Sequence, residues 1–158
     1  IDFPHDGTKM LDLTKELNPE FIATINDVVP YQFLLPAAPY VSKGNTTIDI
    51  NFLQEKKEYL QSLCDVLIIE GAGGLMVPIE KDFFMIDLIK LFNCETFLIT
   101  PSKLGCINDT LLSINILKEK NIDFEFYINL YQDIESFEKV SKPFLIDYFK
   151  KLNFLQDL

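Results

Sequence analysis

The feature that most constrains this chain is a short apolar run that stops abruptly at a glycine-rich turn. Asp65-Val66-Leu67-Ile68-Ile69 is followed at once by Glu70-Gly71-Ala72-Gly73-Gly74. A compact β-branched run with no polar alternation reads as a strand buried on both faces, the pattern of a parallel sheet. Residues 96–100 and 124–128 read as two further strands, the first again buried and the second ending at Asn129. Helical patterns lie between and after them, over residues 84–92, 108–120 (with Leu111, Ile114 and Leu117 on one face) and 144–152. Upstream, residues 7–17 suggest a short helix carrying Met10, Leu11, Leu13 and Leu17, broken by Asn18-Pro19 because proline disfavours a helical residue before it. Residues 28–35 read as a short extended piece. Asp49 is placed to cap a helix over residues 50–64, with Phe52, Tyr59, Leu60 and Leu63 inward and Glu55, Lys56 and Lys57 outward.

Strands alternating with helices, through connections too long for hairpins, predict an α/β fold. The expected architecture is a mostly parallel sheet with helices on both faces, in a single domain over residues 1–158. Ligands of such sheets sit beyond the carboxyl ends of the strands, where Glu70, Thr100 and Asn129 fall.

Charge narrows the partners. The 14 basic residues are all lysines and face 24 acidic ones, for a net charge of -10. No basic face for nucleic acid is evident. Without arginine there is no arginine finger and no bidentate guanidinium clamp within the chain. An anionic ligand must then be held by backbone N–H groups, lysines or a metal ion. No apolar stretch approaches the roughly 20 residues of a membrane span, so no membrane partner is expected. Cys64, Cys94, Cys106 and the lone His5 make neither a zinc site nor a disulfide framework, and a reducing cytoplasm fits.

Four places could carry chemistry. Glu70, at a strand end before the glycines, is placed to hold magnesium directly or through water; the alternative is a tight turn with a solvated glutamate. Gly105 precedes a helix start whose free N–H groups suit a carboxylate or phosphate; the alternative is plain capping by Asn108 or Asp109. Asp6, in Pro4-His5-Asp6-Gly7-Thr8, reads most simply as an N-cap. Asn129 either reads an adenine edge with its amide or merely turns the chain.

Together these segments resemble the dethiobiotin synthase family. Residues 68–78 (Ile-Ile-Glu-Gly-Ala-Gly-Gly-Leu-Met-Val-Pro) are similar to its EGAGG-hydrophobic-P signature. Lys103-Leu104-Gly105-Cys106-Ile107-Asn108 with Thr110-Leu111-Leu112 resembles its LGCIN-x-TLL segment. His5-Asp6 is similar to its aspartate site, and Pro30-Tyr31 through Pro36-Ala37-Ala38-Pro39 to its PY…PxxP stretch, with Tyr40 where the family usually has histidine.

The resemblance implies a P-loop NTPase-like homodimer and an ATP-dependent cyclo-ligase that joins diaminopelargonic acid and CO2 into dethiobiotin with magnesium. It implies magnesium and ATP contacts at Asp6 and Glu70, and substrate contacts at Gly73 and Gly74. Gly105, Cys106, Ile107 and Asn108 would meet the substrate carboxylate across the dimer interface, and Asn129 would contact adenine. The family's G-x-x-x-x-G-K-S/T loop does not occur in the sequence. That loop, the first strand or strands and the active-site lysines are therefore expected upstream of Ile1, no catalytic residue is assigned within the chain, and residues 1–158 alone are expected to be inactive. The alternatives are a non-catalytic dimeric small-ligand binder and another ATP-dependent amidating or partitioning relative.

Overall fold

The computed structural model describes residues 4–158, and the chain divides into two compact units, Ile1–Phe92 and Asn93–Leu158. The first unit is built mainly from helices: α1 His5–Leu17, α2 Ile25–Val28, α3 Pro39–Ser42, α4 Ile50–Gln61 and α5 Met85–Phe92. Leu11 of α1, Leu60 of α4 and the connecting Phe21 and Ala23 form its core, with Ile25, Val28, Leu63 and Leu67 packed against them. The other apolar residues of α1 stay outside, Leu17 being 88% exposed. Asn18 ends α1, as the following proline requires. The Asp49 side chain accepts from the backbone N–H groups of Asn51 and Phe52, so α4 starts where its capping residue predicts.

Residues 28–35 are not an extended piece. Asp27 accepts from both the backbone N–H and the hydroxyl of Thr24, which closes the turn of α2 through Val28. The chain then bends towards α3.

A short antiparallel pair, β1 Pro78–Glu80 and β2 Phe83–Phe84, precedes α5; its register shifts between Pro78 and Glu80. Residues 65–69, expected as a strand buried on both faces, pair with no other strand among the described residues. Val66 is 77% and Ile68 79% exposed. A run of β-branched residues is only half of a strand; the other half is a neighbour whose N–H and C=O groups complete the ladder.

The second unit contains the predicted parallel pairing. β3 Phe97–Pro101 runs parallel to β4 Glu125–Asn129, in a register that sets Phe97 beside Glu125 and Pro101 beside Asn129. α6 Cys106–Glu119 connects them, starting two residues before the sequence pattern suggests and burying Ile114 and Leu117. β3 is not buried on both faces: Phe97 and Ile99 point outward, while Thr100 is buried. On the far side of β4, Phe154 forms a parallel bridge to Ile128, and the Ile128 N–H donates to the Asn153 carbonyl at 2.9 Å. The tail thus lies beside β4 as a rudimentary third strand.

The last helical stretch combines α7 Ile134–Ser136, a π-helical turn over Phe137–Ser141 and α8 Lys142–Phe149. The wide turn ends two residues before Pro143, which has no N–H to donate to the preceding turn. Lys150, at φ +64, ends the helix before the expected 152. Cys106, Ile128, Phe137 and Leu145 form the core of this unit. Among the described residues the four strands thus make two separate two-stranded sheets, one of them antiparallel. The fold is α/β, but the single mostly parallel sheet is not formed.

Candidate functional site

The predicted residues fall on both units. In the first, Asp6 lies in the opening turn of α1, but the N-cap is Pro4, which supplies no side-chain bond. The capping reading of Asp6 is therefore incorrect. Its exposed carboxylate instead meets the positive end of the helix dipole. The adjacent Gly7 is fixed by packing: a Cβ there would lie 2.3 Å from Val29 Cγ2. A side chain there requires Val29 to move, by turning its own side chain or by shifting the segment after α2.

Glu70 ends the unpaired apolar run and is exposed. Gly73 has φ +78, which favours glycine, and a Cβ there would press within 3.0 Å of Val77 Cγ2. Beyond it, the Val77 N–H donates to the Gly74 carbonyl at 3.0 Å, and the Ile86 N–H to the Leu75 carbonyl at 2.9 Å. The first bond closes a turn within the loop, and the second ties its far limb to the start of α5. Gly74 is different: a Cβ there would meet nothing within 4 Å. Packing within the protein gives no reason for its bare backbone, which leaves room for a ligand.

Among the described residues no group of three or more His, Cys, Asp or Glu stands together as a metal cage. Magnesium seldom uses such a cage, since it takes one or two carboxylates and completes its octahedron with water and phosphate oxygens. Asp6 and Glu70 are exposed carboxylates of the donor type that suits it.

The proline-rich stretch is held by polar contacts. The Ser42 hydroxyl bonds to the carbonyls of Leu35 and Ala37, and Tyr31 Oη accepts from the Asp49 N–H at 2.8 Å. Lys43 pairs with Glu80 at 3.1 Å and lies over the Tyr40 ring. The Ile48 N–H, with help from Lys43, holds the Glu80 carboxyl below its usual range.

In the second unit Gly105 is the N-cap of α6, at φ +92 and with open space where a Cβ would be. No side chain caps this helix start. Asn108 instead donates its amide to Asp109 at 3.2 Å, so neither caps the helix and that reading is incorrect. The Cys106 side chain is buried in the core and Ile107 packs against it. Only their backbone N–H groups remain to meet a ligand, and that of Cys106 already donates to the Lys103 carbonyl.

Asn129 is the last residue of β4, level with Pro101 at the end of β3. Its Oδ1 accepts from Gln156 Nε2 at 2.8 Å, while Gln156 Oε1 accepts from the Leu130 N–H at 3.2 Å. The Ser102 hydroxyl donates to the Gln132 carbonyl, joining the loops that leave the two strands. Sequence reasoning missed Gln156. It lies in a three-residue 3₁₀ turn near the end of the chain, with no periodicity or spacing to single it out.

A family profile described as an AAA domain matches residues 9–128. The ATP-dependent dethiobiotin synthetase of Sulfurovum is 49% identical over 145 residues, covering 91% of this chain and 69% of that protein. The enzyme of the same name from Wolinella succinogenes is 34% identical over 89% of this chain and 67% of its own length. That from Methanocaldococcus jannaschii is 34% identical over 73% of this chain and 57% of its own. By these matches the chain belongs to the dethiobiotin synthetase family.

Proposed function

We propose that the protein is an ATP-dependent dethiobiotin synthetase of biotin biosynthesis, a cyclo-ligase acting on diaminopelargonic acid and CO2. The observation that carries this reading is the pair of specific loops, residues 70–74 and 103–108, within a span 49% identical to a synthetase of that name. Three balanced steps follow. One amine attacks CO2 and loses a proton, giving a carbamate. A carbamate oxygen attacks the γ-phosphorus of ATP and ADP departs, leaving a carbamic–phosphoric anhydride. The second amine then attacks the carbonyl carbon, the ureido ring closes, and phosphate and a proton leave.

The residues take the following roles. Asp6 and Glu70 hold magnesium, which neutralises phosphate charge when bound. Gly73 and Gly74 let the backbone lie against the substrate; the open space at Gly74 supports this. The uncapped start of α6, at Gly105, Cys106, Ile107 and Asn108, meets the substrate carboxylate across a homodimer interface, with the N–H groups other than that of Cys106, which the Lys103 carbonyl already holds, as the donors. Leu104, 76% exposed, and Leu112, 61% exposed, supply apolar surface there. Asn129 contacts adenine beyond the end of β4.

On this reading the phosphate cradle, its lysine and the first strand or strands of one P-loop domain precede Ile1. Two observations support that placement: the G-x-x-x-x-G-K-S/T motif does not occur in residues 1–158, and Val66 and Ile68 expose an apolar run to which a neighbouring strand could add. The working compartment is the cytoplasm.

The test compares residues 1–158 with the same chain extended by the residues its gene encodes upstream. The extended protein should form dethiobiotin from diaminopelargonic acid, bicarbonate and ATP, and the shorter chain should form none. Product from residues 1–158 alone would overturn the missing cradle, and none from the extended protein would overturn the activity.

A further inference from the structure

The bonds around Gln156 form a relay whose polarity is set by the backbone. The Leu130 N–H can only donate, so the Gln156 oxygen facing it at 3.2 Å must accept. That turns the amide nitrogen of Gln156 towards Asn129, where it donates at 2.8 Å. Asn129 must therefore receive it through Oδ1, which leaves Nδ2 as the end of its amide free to donate. A side-chain amide is nearly symmetric in shape but opposite in chemistry at its two ends. Which end faces a ligand at the close of β4 is thus decided by the tail, 27 residues away along the chain. The tail is itself fastened beside β4 by the Ile128 N–H to the Asn153 carbonyl, and by the Asn153 amide to the Phe126 carbonyl at 3.3 Å.

We propose that Gln156 is a positioning residue for the nucleobase: it locks the Asn129 amide with Nδ2 outward, so that the strand end presents a donor to an acceptor nitrogen of the base. This rests on the reading that Asn129 contacts adenine. Gln156 touches no ligand itself and acts only through Asn129.

The discriminating substitution keeps size and reverses polarity. In Gln156→Glu one carboxylate oxygen still accepts from Leu130, but the other can no longer donate. The Asn129 amide must turn over, giving Nδ2 to the carboxylate and presenting Oδ1 to the base. Gln156→Ala merely frees the amide to adopt either orientation. The glutamate variant should therefore be the more damaging, although it removes fewer atoms. In the upstream-extended enzyme, Gln156→Glu should raise the KM for ATP about tenfold, the size of one lost hydrogen bond to the base, and Gln156→Ala about threefold. In both, kcat should stay within about twofold and the melting temperature close to wild type.

Asn129→Ala tests the parent reading. It should raise the KM for ATP, and adding Gln156→Glu to it should raise KM no further. An unchanged KM in Asn129→Ala would overturn the adenine contact and the relay with it. If Asn129→Ala raises KM, the relay alone is overturned by either of two results: Gln156→Ala being the worse of the single variants, or Gln156→Glu raising KM equally in the Asn129→Ala background. The second result would indicate plain charge repulsion of the triphosphate.

Discussion

Two apolar runs in this chain look alike in sequence and differ in structure. Residues 65–69 and 96–100 are both short, β-branched and followed by a glycine-bearing loop with candidate ligand-binding groups. The second becomes β3, paired along its length with β4, which is reached from it through α6. The first pairs with no strand among the described residues and holds Val66 and Ile68 largely in solvent. Composition sets a preference for extended backbone, but only a partner converts that preference into a ladder. The difference therefore reports on what lies beside each run rather than on the runs themselves.

The same polar substitution in each region tests this most strongly. Ile128, on β4 and 1% exposed, packs in the core of the second unit. Ile128→Asn should cost about 3–4 kcal/mol, combining a lost side chain with a buried amide. Ile68→Asn, at 79% exposed, should change stability by no more than about 0.5 kcal/mol in residues 1–158. Urea denaturation of both variants gives the comparison, and equal losses would mean that residues 65–69 are covered in solution. If the upstream segment supplies a neighbouring strand, the cost of Ile68→Asn should rise to several kcal/mol in the extended protein.

Glycines give a second contrast within the first unit. Gly7→Ala places a Cβ 2.3 Å from Val29 Cγ2 and should cost about 1–3 kcal/mol through overpacking. Gly74→Ala meets nothing within 4 Å and should leave the melting temperature unchanged. In the extended enzyme, however, it should raise the substrate KM if the loop lies against the substrate. A loss of stability with no change in KM would make Gly74 a folding residue instead.

Local chemistry is what the sequence discloses best. The cap at Asp49, the stop at Asn18 and the helix bearing Ile114 and Leu117 each rest on contacts a few residues apart. Asp49→Ala should accordingly cost about 1 kcal/mol, read by thermal unfolding. Pairing is disclosed poorly, because it depends on distant chain. The β1–β2 pair is too short to show alternation, and residues 65–69 carry a strand pattern with no strand beside them. Among the site residues, the glycine loops are recognisable because strained or close backbone leaves glycine as its mark. Gln156 leaves none, since its role comes from a tail that folds back beside β4.

The smallest expected effect contrasts two ion pairs. Asp27 and Lys56 meet at 2.6 Å with side chains 17% and 25% accessible, whereas Asp147 and Lys150 meet at 3.4 Å with 89% and 80% accessible. The Lys56 ammonium, then the Thr24 hydroxyl and N–H, bring the Asp27 carboxyl from 3.8 down to about 2. A carboxyl whose pKa is lower folded than unfolded takes up its proton first in the unfolded chain. It therefore stabilises the fold above pH 3.8, and that contribution fades as pH falls towards 2. Because the pair is partly solvated, Asp27→Asn should cost only about 1 kcal/mol at pH 7. Measured by chemical denaturation across the acid range, the gap between wild type and Asp27→Asn should stay constant down to about pH 4 and then close. Asp147→Asn should show no measurable gap at any pH, as expected of a pair that water screens on every side. A gap for Asp27→Asn that persisted unchanged at pH 2 would assign its cost to lost packing or hydrogen bonding of α2 rather than to the charge.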